Sequence, residues 1–144
     1  MQFVRQLKQQ VGIPDVRSRS FTLKEIMHRT NDVTIEEVMV GLYRMGYMQA
    51  QRDIDGVPYK ITSGRREAAY NKSIGSSDNS AHRWRIENGR LIGANDFVPI
   101  GKSLGEVYNR ISKDSHGETY LHKKLEFIHN SDYNEGEVDE QWVQ

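Results

Sequence analysis

Two helix starts of the same design, twelve residues apart, constrain this chain more than any other feature. Thr22 with Glu25, and Thr34 with Glu37, have the spacing of capping boxes: the cap hydroxyl accepts from the third helical N–H, and the carboxylate accepts from the cap N–H. Phe21 precedes the first box and can staple onto Ile26, as Val33 can onto Val38. With a tight polar turn between them, the boxes predict two short consecutive helices, a helix-turn-helix. The second helix carries Ile35, Val38, Met39 and Leu42 on one face, which the spacing assigns to the core, and Gly46 as its C-terminal stop.

The surrounding segments extend this pattern. Phe3, Val4, Leu7 and Val11 follow helical spacing until Gly12 and Pro14. After the second capped helix, "YMQAQR" and "VPYKIT" flank the acidic turn "DIDG". Val57, Tyr59 and Ile61 alternate with polar neighbours as in a half-buried strand, and Pro58 makes it an edge strand. Residues 71–81 are small and polar, as in a linker. Beyond them, "RWRIENGRLIG" predicts a hairpin turning at Asn88–Gly89. Ser103 and Glu106 form a third capping box ahead of Leu104, Val107, Tyr108 and Ile111. A last helix is expected from about Thr119, aligning Leu121, Leu125 and Ile128. Residues 131–144 hold five acids and no Lys or Arg, the composition of a disordered tail. The expected fold class is α+β: an N-terminal winged helix of three helices and a β-hairpin wing over residues 1–70, the linker 71–81, a small α+β module over 82–130, and the acidic tail 131–144.

The order of elements over residues 1–70 resembles the winged helix-turn-helix superfamily of bacterial and phage regulators. "EEVMVGLYRMGYM" looks like that family's third helix running into the wing, and "YKITSGRREAA" is similar to its Y-x-L-T-x-x-G-R-x-x-L ending, with Gly64 one residue early. The resemblance implies a small regulator of transcription or replication that binds duplex DNA. The base-reading face would be the one opposite Ile35, Val38 and Leu42: Glu37, Val40, Gly41 and Arg44, on the helix that Thr34 opens. Arg44 would donate to guanine or phosphate, Val40 would touch a thymine methyl, and Glu37 would accept from cytosine N4. Phosphate contacts would come from Lys24, Arg29, Arg52, Lys60, Arg65 and Arg66, with Arg17 and Arg19 nearby. Residues 1–72 hold 12 Lys/Arg against 8 Asp/Glu, and residues 73–144 the reverse balance of 8 against 12, so the basic half is the one assigned to DNA. Glu36, Glu37, Asp53 and Asp55 oppose phosphate contact while serving as cap and turn formers. They keep open an alternative in which the same fold is an adaptor for a protein partner. Residues 82–130 are assigned to self-association or partner contact.

Other chemistry is sparsely signalled. Arg83, Trp84, Arg85 and Arg90 combine cations with one stacking surface, as single-stranded nucleic acid requires; alternation favours a strand with Trp84 and Ile86 turned to a core. The absence of cysteine excludes disulfides, a thiolate nucleophile and Cys-type zinc sites. No glycine-rich phosphate loop is present. His122, Glu126 and His129 would share one helix face, an arrangement able to hold a metal, but without a third strong ligand they are read as exposed surface histidines. The expectation is a non-enzyme without cofactor or metal. No apolar run reaches the length of a membrane span, and "MQFVRQLKQQ" lacks the features of a secretory signal, so a cytoplasmic address is expected.

Overall fold

The computed structural model of the chain describes residues 2–28, 30–114 and 117–132. It opens with α1 (Gln2–Leu7), β1 (Gln10–Gly12), α2 (Leu23–Met27), β2 (Asp32–Thr34) and α3 (Ile35–Asp55). Both capping boxes form as their spacing requires. The Thr22 hydroxyl accepts from the Glu25 N–H at 3.1 Å, and the Thr34 hydroxyl from the Glu37 N–H at 3.2 Å, with each glutamate accepting from its cap N–H. β1 and β2 pair antiparallel ahead of α3.

At Gly46 the structure departs from the sequence reading. A glycine inside a helix costs only about 1 kcal/mol, and Met45 and Met48 are buried on either side of it. α3 therefore continues through "YMQAQR" and ends at Gly56, whose φ of 70° supplies the left-handed cap and whose N–H donates to Arg52 O at 2.8 Å. The segment expected as the first wing strand is helical.

The rest of the chain is β3 (Tyr59–Ser63), α4 (Ala68–Ser73), β4 (Arg85–Glu87), β5 (Arg90–Ile92), β6 (Ala94–Pro99), α5 (Leu104–Asp114), β7 (Glu118–His122) and β8 (Phe127–Ser131). A four-stranded antiparallel sheet runs in the order β3-β6-β8-β7. β3 is an edge, and Pro58 precedes it where no ladder donor is needed. This sheet corrects the winged-helix fold class: β3 pairs with β6, Tyr59 opposite Pro99 and Ile61 opposite Phe97, instead of folding back in a wing. The helix expected from Thr119 is the β7–β8 hairpin, with Leu121 opposite Ile128 and Leu125 exposed at the turn. The β4–β5 hairpin turns at Asn88 and Gly89, both at positive φ, as read.

One apolar cluster joins α2 and α3 to the sheet and α5, through Leu23, Ile26, Met27, Val40 and Met48 on one side and Tyr59, Phe97, Val107, Ile111 and Ile128 on the other. α3 is rotated relative to the expectation. Val40 is fully buried, while Met39, Leu42 and Tyr43 are exposed. Among the described residues, no helix is long and apolar enough to cross a membrane. Arg29 and residues 133–144, to which a phosphate contact and most of the acidic tail were assigned, lie outside the described residues.

Candidate metal centre

Strand register places two of the site's side chains. Asp96 on β6 is the pairing partner of His129 on β8, so both project from the same face, while Asn95 and Asn130, also partners, project from the other. The third side chain, His82, comes from the turn between α4 and β4, and its carbonyl accepts from the Arg66 N–H at 2.7 Å. Nδ1 of His82 lies 2.8 Å from the Gly64 carbonyl oxygen. A carbonyl only accepts, so Nδ1 carries the proton and Nε2 presents a lone pair.

That lone pair faces other acceptors. Nε2 of His82 lies 3.1 Å from Asp96 Oδ1 and 3.3 Å from His129 Nδ1, and His129 Nδ1 lies 2.8 Å from the same Oδ1. All three side chains are buried. Two ring nitrogens and a carboxylate oxygen thus converge on one point, and a single proton cannot satisfy them all. Nε2 of His129, buried, has no hydrogen-bond partner among the described residues. Three ligands of a tetrahedral zinc at about 2.0–2.1 Å stand about 3.3 Å apart, close to the separations found. The donor set fits a divalent cation, with the Gly64 carbonyl holding the His82 tautomer as an outer partner.

The surroundings reinforce this arrangement. Arg66 Nη2 stands 3.6 Å from Asp96 Oδ2, leaving Oδ1 to face the histidines. Tyr120, the β7 partner of His129, stacks on its ring at 4.3 Å and 8°. A cavity of about 380 Å³ is lined in part by Ser63, Gly64, Arg66 and Tyr70, of which Gly64 contacts His82 and Arg66 stands by Asp96; none of the three ligands lines it.

A profile described as peptidase M15 matches residues 19–131 of the 144, a span that includes all three ligands. The chain belongs to the peptidase M15 family. Neither a curated protein nor a solved structure matches it.

Membership in the M15 family overturns the winged helix-turn-helix resemblance, and with it the DNA-binding regulator, the duplex DNA partner and the adaptor alternative. It also overturns the expectation of a non-enzyme, since the family is one of peptidases and a buried His–Asp–His group is present. Several of the residues assigned to DNA hold the fold together instead. Arg44 is fully buried, and a β-carbon on Gly41 would stand 2.7 Å from Leu23 Cδ1, so neither faces solvent. Thr34 and Glu37 form the α3 cap, and Glu37 also accepts from Arg65 Nε at 2.5 Å. Lys24 and Lys60 are exposed, on α2 and β3, and Arg52 lies in the last turn of α3. Arg65 and Arg66 follow β3, Arg65 against Glu37 and Arg66 beside Asp96.

His129 was the one ligand among the histidines singled out, and it was placed with the wrong partners. His122 instead accepts from the Leu125 N–H at 3.0 Å, and Glu126 stands exposed in the β7–β8 turn at φ 57°. His82 and Asp96 carried no local signal, because the β4–β5 hairpin separates them. Trp84, just ahead of β4, is buried with its indole N–H donating to Ala94 O at 3.2 Å, so it turns to the core and offers no stacking platform, while Ile86 and Arg85 within the strand are both half-buried.

Proposed function

We propose that this chain is a metal-dependent peptidase whose ion is held by His82, Asp96 and His129. The observation that carries the reading is the convergence of Nε2, Oδ1 and Nδ1 of these residues within 2.8–3.3 Å, in a chain of the peptidase M15 family. A bound divalent ion supplies Lewis acidity, lowering the pKa of water and polarising a peptide carbonyl. The residues of the chain hold and shape that centre. The Gly64 carbonyl fixes the His82 tautomer, Arg66 engages the second oxygen of Asp96, and the Tyr120 ring limits rotation of His129. The cavity lined by Gly64 and Arg66, the residues that contact His82 and Asp96, has a volume within the usual range of small-ligand sites.

Family membership puts peptidoglycan stem peptides first among the substrates to try. The test is release of amino acid or shorter peptide from such substrates by the zinc-loaded chain. Hydrolysis is expected, with loss on chelation and in His129→Ala; cleavage that survives both would remove the triad from the reaction. The cytoplasmic address read from the sequence is a matter for cell fractionation.

A further inference from the structure

Successive residues of the main sheet serve its two faces in turn. Tyr59 and Ile61 of β3, Phe97 of β6 and Ile128 of β8 turn to the helices and the apolar core. Their alternates Lys60, Val98, Asp96 and His129 project from the opposite face, and none of these four belongs to the apolar cluster. On that face burial falls off in one direction. Asp96 and His129 are buried, Val98 is half-buried, and Lys60, on the edge strand, is exposed. The face therefore opens from the metal ligands toward Lys60.

Register fixes the separation. Lys60 is the pairing partner of Val98, and Val98 lies two residues from Asp96 along β6, which makes Lys60 and Asp96 a diagonal pair. The register shift of β3 falls between Ile61 and Ser63, after Lys60, and leaves this pairing intact. Diagonal neighbours stand about 7–8 Å apart, within reach of a long side chain. The two groups nevertheless do not meet: the outer oxygen of Asp96 faces Arg66 at 3.6 Å, and Lys60 forms no ion pair among the described residues. Its ammonium stands in solvent beside the ligands.

We propose that Lys60 is a substrate-binding residue, its ammonium pairing with a carboxylate of a peptide that runs along this face from the metal ligands. The inference rests on the peptidase reading. An extended peptide advances about 3.3 Å per residue, so a carboxylate about one or two residues from the bond held at the ligands comes level with Lys60. A C-terminus and an acidic side chain present the same oxygens to the ammonium, and a charge-assisted bond to either holds the peptide in place relative to the ligands. A lysine on an edge strand also discourages pairing with another molecule, a role that leaves substrate affinity untouched.

The test compares wild type, Lys60→Met and Lys60→Arg, full-length and zinc-loaded, on three substrates: a peptidoglycan stem peptide, the same peptide with a C-terminal amide, and one whose acidic side chains are amidated. Lys60→Met is expected to melt and to bind zinc as the wild type does. Its KM on the unmodified peptide is expected to rise about tenfold with kcat unchanged, and Lys60→Arg, which keeps the charge, should recover most of the loss. A penalty confined to peptides with a free C-terminus assigns the carboxylate to the terminus; one confined to peptides with free acidic side chains assigns it to an acidic residue. Wild-type KM in Lys60→Met, the same penalty on all three peptides, or a penalty matched by weaker zinc binding or a lower melting temperature would overturn the proposal while leaving the peptidase reading in place. A wild type that binds zinc but cleaves none of the peptides overturns the peptidase reading and this proposal with it.

Discussion

Asn95 and Asp96 are neighbours on β6, as Asn130 and His129 are on β8, yet the two faces of these strands resolve their buried polarity in opposite ways. On one face the protein brings its own cation. Arg44, fully buried on α3, donates from Nε to Asn95 Oδ1 at 3.0 Å, from Nη1 to Asp132 Oδ1 at 3.0 Å and from Nη2 to Asn130 O at 3.1 Å. On the other face, two imidazoles and Asp96 crowd their acceptor atoms together, with Arg66 reaching only the outer carboxylate oxygen. Uncompensated buried charge is costly, so a cluster that holds its own cation ties elements together, whereas one short of a cation is a place for a ligand.

The largest expected effect lies on the closed face. Arg44→Met strands Asp132 and Asn95 without their donor and should lower stability by about 3–5 kcal/mol in urea denaturation. Asp96→Asn in the metal-free chain removes one of three crowded acceptors and should cost less than Arg44→Met. Equal losses in the two variants would erase the distinction between the faces. Next in size is the ligand's own contribution: zinc at about 100 times its Kd should add about 2.7 kcal/mol to the wild type. The same zinc should add nothing to Asp96→Asn, as read from melting curves with and without the metal.

A third cluster sharpens the comparison. Asp55 accepts from Arg110 Nε at 2.6 Å and Nη2 at 2.9 Å and from the Tyr59 hydroxyl, so it too is closed by a cation of the chain. Burial pushes the Asp55 carboxyl up, but the Arg110 and Tyr59 hydrogen bonds reverse this and leave its pKa below the ordinary value. Its stabilisation is therefore fully present above the unfolded pKa of about 3.9 and is lost as pH falls through the lower folded value. Asp55→Asn should cost about 2 kcal/mol at pH 7 and flatten the decline in stability below about pH 4. An acid-denaturation curve parallel to that of the wild type would show that the pair contributes nothing.

What the sequence reveals divides along the same line between local and distant contacts. The capping boxes at Thr22 and Thr34 span four residues each, and both are legible. The buried face of α3 is not, because the helix has apolar residues on both sides and its orientation is decided far away. Gly41 admits Leu23 and Trp84, and Arg44 finds its partners 51 to 88 residues on. Leu121 and Ile128 satisfy helical and strand spacing alike, and pairing with β6 selects the strands. The metal centre is the extreme case. Asp96 meets His129 through sheet register and His82 through the turn after α4, so no short window of sequence contains it.

Calorimetric titration of the full chain with zinc decides whether the triad is a cation site. One zinc per chain is expected, bound with proton release and lost in His82→Ala and His129→Ala variants that still fold. A folded wild-type chain that takes up no zinc, or variants that bind it undiminished, would contradict it.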